Sequence, residues 1–197
     1  MEHRIVPVQQ LDDGQIVELA KLHQAVIHSL LSDLGLPFVE KYYQITRQDE
    51  TVIGFCALSE DGLPLGWVVG SSKPEQVNGR LHEPVSWFFP QMMRVLLAHP
   101  KLIAQLFASA RSQSLELKQG CIELIYIGVA PSVRGRGLAK ELIDMFVQAS
   151  AKKYRCVSLS VEQENVEAIR LYTKVGYEIV DTVTEGKFKR HRMELKI

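Results

Sequence analysis

The sequence lacks a net charge and any long apolar run. Its 23 Lys and Arg balance its 23 Asp and Glu, so no overall field attracts nucleic acid or an anionic membrane surface. No apolar run approaches the roughly 20 residues of a membrane span, and no charged and apolar leader opens the chain. We therefore expect a cytoplasmic protein that binds neither nucleic acid nor membrane and acts on a small or mixed partner.

Cysteine is scarce, and the 3 cysteines, Cys56, Cys121 and Cys156, each lie in an apolar, strand-like context. An odd number excludes complete pairing within the chain, and we expect buried free thiols that pack as small apolar groups. The 6 histidines show none of the spacings typical of metal ligands. The sequence therefore predicts no metal site.

Residues 1–197 are predicted to form a single domain, because the chain is long enough for one substantial core and too short for two comfortable ones. Apolar periodicity predicts the elements from which this domain is built. Strands are expected over 3–8, 51–58, 65–69, 122–129, 156–161, 177–184 and 191–195, helices over 16–30, 38–48, 137–153 and 165–176, and a loop over 71–79. Helical patterns around 87–97 and 102–107 predict an additional helical pair within about 73–118.

The chain is organised around residues 122–139, which read IELIYIGVAPSVRGRGLA. The apolar run at the start of this stretch predicts a buried strand, and the apolar spacing after Gly137 predicts a helix. Gly135 and Gly137 lack a Cβ atom, so the backbone between strand and helix can approach a ligand closely. The unpaired N–H groups and the dipole at the helix start favour an anion, and Arg134 and Arg136 add positive charge. These features predict a site for a phosphate or diphosphate.

This loop matches neither of two common phosphate-binding motifs. It lacks the Lys followed by Ser or Thr of the P-loop, and it lacks the third glycine of the dinucleotide fingerprint. It does fit the pattern Q/R-x-x-G-x-G/A through Arg134, Gly137 and Ala139, and here the chain resembles the GNAT superfamily of acyl-CoA-dependent N-acyltransferases.

A second segment, residues 164–177, is similar to the family's N-x-x-A-x-x-L-Y-x-x-x-G-F/Y helix and carries Asn165 and Tyr172 at the matching positions. The two motifs follow one another in the order that the family shows. The resemblance is close over about residues 120–184, and the amino-terminal half follows the family only in outline. Residues 73–118 have no counterpart in the compact family pattern, so the helical pair predicted there is interpreted as an insertion.

The resemblance implies an α/β (α+β) fold with a mixed, mostly antiparallel central sheet, flanking helices and a parallel strand–helix–strand crossover at the cofactor site. In the family, the two parallel strands splay apart and the pantetheine arm of the co-substrate acetyl-CoA lies in the gap. The residues that the resemblance assigns to this ligand, several of them through backbone groups alone, are Ile127, Gly128, Val129, Arg134, Gly135, Arg136, Gly137, Leu138, Ala139, Asn165 and Tyr172. Asn165 has a second interpretation as the N-cap of its helix.

Transfer to an amine requires a base, because an amine of pKa near 10.4 is free in only about one molecule in 1000 at pH 7.4. Glu123 is the charged residue within an otherwise apolar strand, and a charge there is costly unless it is paired or used. By resemblance it lies where one branch of the family carries a glutamate base; the alternative is a salt-bridged structural residue. Tyr172 lies where the family places the acid that protonates the leaving CoA thiolate; the alternative is a core tyrosine.

These motifs predict N-acetyl transfer from acetyl-CoA to a primary amine by direct attack. The alternative is a non-catalytic acyl-CoA-binding regulatory domain on the same fold. The acceptor is open between small amines and protein amines, and the insertion that carries Trp87, Phe88 and Phe89 either packs over the acceptor side or simply covers sheet surface. Association into oligomers is compatible with the sequence.

Overall fold

The computed structural model describes residues 2–98, 117–185 and 188–197. Its strands are β1 (Arg4–Pro7), β2 (Val52–Leu58), β3 (Pro64–Ser71), β4 (Cys121–Val129), β5 (Cys156–Glu162), β6 (Glu178–Glu185) and β7 (Phe188–Lys196). Its helices are α1 (Asp13–Val26), α2 (Leu30–Asp33), α3 (Leu36–Gln48), α4 (Pro74–Gly79), α5 (Val85–Ala98), α6 (Leu138–Ser150) and α7 (Val166–Val175). None of the helices in these ranges has the length and apolar character needed to cross a membrane.

The strands form one sheet in the order β1-β2-β3-β4-β5-β7-β6. Every neighbouring pair is antiparallel except β4 and β5, which are parallel and joined through α6. A parallel pair needs such a crossover because its chain must return to the same end of the sheet. The predicted α/β (α+β) class, with a mostly antiparallel sheet and one parallel crossover, is confirmed.

The two faces of the sheet carry separate cores. One face packs against α1 and α3, and its core includes Leu19, Phe38, Tyr43 and Trp67. The other face packs against α6 and α7, with Phe146 among its buried side chains. Because side chains alternate along a strand, each residue of β4 faces one core or the other. The face on which a residue lies determines which side chains it can contact.

Two local predictions need correction. Residues 71–79 were expected to form a loop, yet β3 extends to Ser71 and α4 covers Pro74–Gly79. Proline is compatible with the first turn of a helix, and the buried side chain of Val77 anchors α4 in the core. The polar composition of this segment therefore did not predict its helical structure. The predicted helix over 16–30 is also interrupted, because Ile27 is extended and α2 starts separately after its N-cap Ser29.

The first half of the predicted insertion is helical. In α5, Trp87 and Phe88 stack edge-on against Phe38 of α3, with ring centroids 5.3 and 5.9 Å apart, whereas Phe89 is 62% exposed. The helix therefore packs on the α1 and α3 side of the sheet. The second predicted helix, over 102–107, lies outside the described residues.

The cysteines differ from expectation. Cys121 and Cys156 are directly paired in the parallel ladder, with Cα atoms 4.7 Å apart, and they form a disulfide. Their placement as two separate free thiols was therefore wrong, because spacing along the chain does not reveal that β4 and β5 are neighbours in this register. Cys56 is buried and free as predicted, and burial raises the pKa of its thiol to about 12.

Candidate active site

The parallel strands β4 and β5 pair over only part of their length. Their ladder joins Cys121–Leu124 to Cys156–Leu159, after which β5 continues along β7 and β4 continues along β3. Within the described residues, the edge of β4 that faces β5 has no strand partner over Ile125–Val129. Its N–H and C=O groups can therefore pair with an extended ligand as an added strand would.

A β-bulge lies where β4 leaves β5. Gly70 of β3 pairs with Leu124 and Val69 pairs with Tyr126, so Ile125 is an extra residue in β4. The bulge shifts the alternation of side chains, and Glu123 and Tyr126, three positions apart, lie on the same face of the sheet. That face is the one covered by α1 and α3, because Tyr126 packs against their core.

The segment Ile127, Gly128 and Val129, predicted to bind the ligand through backbone groups, pairs with β3 on one edge and lies along the open edge toward β5 on the other. Gly128 has a further reason to be glycine. A Cβ atom there would overlap the ring of Trp67, which lies directly opposite in the β3 ladder.

The glycine-rich loop follows this strand end and leads into α6. Gly137 is the N-cap of α6 with a φ of 85°, and Gly135 has a φ of 74°. A Cβ atom at either position would meet no atom within 4 Å, so the space in front of both is open. No side chain caps the first N–H groups of α6, which therefore point at this space together with the positive end of the helix dipole. The loop fits a diphosphate.

The remaining predicted residues of the loop fall into two groups. Arg134 and Arg136 are exposed, and the Arg134 Nε–H donates to the carbonyl of Val129 at 3.4 Å, which holds this side chain against the end of β4. Leu138 is buried in the core beneath α6, and Ala139 is half-buried, so these two position the first turn and offer backbone groups.

Replacing Gly137 with Val is expected to raise the KM for acetyl-CoA at least about tenfold, more than Arg136→Ala does. A side chain would protrude into the open space and obstruct the diphosphate, and a loss of 1.4 kcal/mol in binding is about tenfold. The strain of an L-residue at a positive φ, about 1–2 kcal/mol, lowers the stability of the free and bound protein alike, so it is subtracted by a control. Steady-state kinetics at saturating amine measures the effect. Gly62→Val is the matched control, because Gly62 has a φ of 79° in the β2–β3 turn. Equal effects of Gly137→Val and Arg136→Ala would mean that charge, rather than backbone approach, holds the phosphate.

Asn165 and Tyr172 lie on α7. The side-chain oxygen of Asn165 accepts a hydrogen bond from the backbone N–H of Ala168 at 3.1 Å, so the N-cap interpretation is confirmed. Tyr172 is 7% exposed and packs beside Tyr177 with ring centroids 5.7 Å apart. Burial raises the pKa of Tyr172 to about 12, so its hydroxyl keeps its proton at neutral pH.

Glu123 lies on the opposite face of the sheet from Tyr172. Its neighbours along the strand, Ile122 and Leu124, belong to the core beneath α6, as does Tyr172. The Glu123 side chain is 20% exposed, and its Oε1 lies 3.9 Å from Nη1 of Arg192. The structure therefore does not bring the two predicted catalytic side chains into contact. Glu123 and Tyr172 lie on opposite faces of the sheet, on either side of the opening between β4 and β5.

A buried aromatic group on the same sheet face as Glu123 was not predicted from the sequence. It consists of His23 from α1, Tyr42 and Tyr43 from α3, Trp67 from β3 and Tyr126 from β4, and the His23 ring lies 4.7 Å from that of Tyr126. His23 Nδ1 hydrogen-bonds the Tyr43 hydroxyl at 2.7 Å, and burial lowers the pKa of His23 to about 4. This histidine is therefore neutral at physiological pH.

Tyr42 lies close to Glu123. Burial first, and then the charges of Tyr126 and Glu123, raise the pKa of Tyr42 well above its usual value. The Tyr42 hydroxyl is buried and has no hydrogen-bond partner among the described residues. An available signal for this group was the pair of adjacent tyrosines, Tyr42 and Tyr43, in the helix that precedes β2.

Charged residues of β7 lie on the same face of the sheet as Glu123. Arg192 and Glu194 alternate with Met193, which is fully buried in the other core. Lys118 pairs with Glu194 at 2.6 Å, and Arg190 lies 3.6 Å from Glu162 of β5. The alternation of charged and apolar residues from Arg192 to Lys196 was a signal for this charged sheet face.

The fold and the loop geometry agree with comparisons to known proteins. The family model for the acetyltransferase (GNAT) family matches residues 19–177, which is most of the chain. The chain belongs to the GNAT family. Its predicted family resemblance is thereby confirmed, and the match includes both the glycine-rich loop and α7.

Individual GNAT relatives match shorter segments. A mycothiol acetyltransferase of Kineococcus radiotolerans is 30% identical over 103 residues, 52% of this chain and 31% of the relative. A spermine/spermidine N(1)-acetyltransferase of Bacillus subtilis is 32% identical over 63 residues, 31% of this chain and 41% of the relative. The chain thus spans less than half the length of these curated relatives.

Among solved structures, the Arabidopsis thaliana NAA60 complex with acetyl-CoA superposes with a TM-score of 0.61. It covers 100% of this chain and 99% of that one, at 16% sequence identity. The superposition supports a shared fold, and a sequence identity this low says nothing about the acceptor.

Proposed function

We propose that this protein is an N-acetyltransferase that moves the acetyl group of acetyl-CoA to a primary amine. The observation that carries the proposal is the open end between β4 and β5, which is bordered by the glycine-rich start of α6. An extended chain with amide groups fits the unpaired strand edge, and a diphosphate fits the helix start. Acetyl-CoA has both parts. The relatives named as acetyltransferases support catalysis over a purely regulatory role.

The ligand would be held mainly by backbone groups. Ile127, Gly128 and Val129 would pair with the amides of the pantetheine arm, and residues 134–139 would bind the diphosphate. Asn165 would contribute its remaining amide groups, because its side-chain oxygen already caps α7. Binding by backbone explains why the loop needs small residues more than specific side chains.

The reaction forms a C–N bond and breaks the C–S bond of the thioester. In the proposed mechanism, Glu123 accepts the proton that the amine must lose, and Tyr172 donates a hydrogen bond, and then a proton, to the departing sulfur. The raised pKa of Tyr172 keeps the donor protonated. Because the amine attacks directly, no covalent acyl-enzyme is formed.

The acceptor would approach from the face that carries Glu123. This face is bounded by α1, α3 and β7, and α5 packs beside it on α3. We further propose that residues 1–197 act as one domain in the cytoplasm, with the segment 73–118 as an insertion whose helix α5 lies on the acceptor side. The acceptor class proposed is a primary amine on a small molecule or a protein.

Two measurements with the purified protein test this function. Free CoA should be released from acetyl-CoA only when an amine acceptor is present, and a panel of polyamines, amino acids and peptides identifies the acceptor. In calorimetry, CoA should bind more tightly than ATP with Mg²⁺, because the loop lacks the Lys and Ser/Thr that serve a triphosphate and its metal. Tighter binding of ATP with Mg²⁺ would contradict the proposal, as would CoA release at an unchanged rate without any amine.

A further inference from the structure

Arg192 is a buried cation that the proposed mechanism does not yet use. It lies on β7, is 8% exposed, and reaches across β5 toward β4. Its Nη2 donates to the hydroxyl of Ser158 at 3.4 Å, and its Nη1 lies 3.9 Å from Oε1 of Glu123. Removing a guanidinium from water is costly unless a negative charge compensates it. Glu123 is the carboxylate in that position.

The strand register explains why Arg192 turns toward Glu123. Across the sheet, Glu123 pairs with Ser158 and Ser158 pairs with Glu194, so these three side chains form one row. Glu194 is already held by Lys118 at 2.6 Å. Ser158 is small and leaves room above β5, so the guanidinium passes over it to Glu123.

We propose that Arg192 is a positioning residue that holds Glu123 ionised and oriented toward the gap between β4 and β5. The inference rests on the proposed role of Glu123 as the base. At 3.9 Å the guanidinium and the carboxylate form an ion pair, so the positive charge favours the ionised form of Glu123. A nearby guanidinium also disfavours a protonated acceptor and favours the free amine, which is the nucleophile.

Other charged and titratable groups also lie around this face of the sheet. Tyr42 from α3 and Tyr126 from β4 have their pKa values raised by burial and are neutral at working pH. The charge of Arg190 of β7 partly opposes the rise in the pKa of Tyr126, and Arg190 lies 3.6 Å from Glu162. The Lys118 and Glu194 pair compensates itself. Arg192 lies 3.9 Å from the carboxylate of Glu123, so a change of charge at Arg192 should be felt at Glu123.

Replacing Arg192 with Met should lower kcat about tenfold and move the acidic limb of the pH–rate profile about one unit toward higher pH, since the adjacent cation no longer favours the ionised carboxylate. Arg192→Lys should keep the acidic limb in place and recover part of kcat. The Kd for acetyl-CoA, measured by calorimetry, should change by less than about twofold in both variants, because the cation lies on the face away from α6. A purely structural role would not move the acidic limb.

A double-mutant cycle separates the outcomes. In the Glu123→Gln background, Arg192→Met should add no further loss of kcat, and this uncharged pair should fold even if Arg192→Met alone does not. An equal loss in both backgrounds, or a raised acceptor KM with an unmoved acidic limb, would overturn the inference and leave the function intact. Wild-type kcat and an unchanged acidic limb in Glu123→Gln alone would overturn both this inference and the role of Glu123 as the base.

Discussion

Glu123→Gln is expected to lower kcat by about 10² to 10⁴-fold, which is the usual contribution of a general base, while the Kd for acetyl-CoA stays unchanged. Gln keeps the shape of the side chain and removes its ability to take a proton. The acidic limb of the pH–rate profile should flatten, because that limb reports protonation of the base. Kinetics over a range of pH with saturating amine measures both effects.

The matched control for this substitution is Glu194→Gln. Glu194 lies in the same row of the sheet, two strands away, and pairs with Lys118 instead of Arg192. Its substitution should leave kcat and the acidic limb unchanged. If Glu123→Gln behaves like this control, Glu123 is structural, and the proton must leave by way of water or another side chain.

Tyr172→Phe is expected to lower kcat by about 10² to 10⁴-fold, again with the Kd for acetyl-CoA nearly intact. The hydroxyl stabilises the sulfur only once the C–S bond breaks, so its loss should affect the transition state and not the binding of the thioester. Phe fills the same volume, so stability should change little. Pre-steady-state measurement of CoA release separates the chemical step from product release.

Tyr177→Phe provides the control for the loss of a buried phenol. Tyr177 packs beside Tyr172, is 1% exposed, and has a buried hydroxyl without a partner among the described residues. Removing that hydroxyl should leave kcat unchanged and should not destabilise the fold, because no hydrogen bond is lost. If Tyr172→Phe and Glu123→Gln both left activity unchanged, the non-catalytic, regulatory alternative would be favoured.

The fold class followed from the resemblance of two short motifs to the GNAT family, and the place of the glycine-rich loop could be read from the residues themselves. The apolar run of β4, the two glycines after it and the helical spacing of α6 are local features, and local features are visible in a linear pattern. The N-cap role of Asn165 and the buried thiol of Cys56 also followed from local context. The helix at Pro74–Gly79 was missed because its stabilising contact, the buried Val77, comes from tertiary packing.

The side chains around Glu123 could not be predicted from the linear sequence, because they come together through strand pairing. Simple alternation would place Glu123 on the same face as Ile125, but the bulge at Ile125 puts it beside Tyr126 instead. The contact with Arg192 and the pairing of Cys121 with Cys156 depend on the register of strands that are 35 or more residues apart in the chain. Such register is set by the joint packing of both faces of the sheet, so no single segment of sequence contains it.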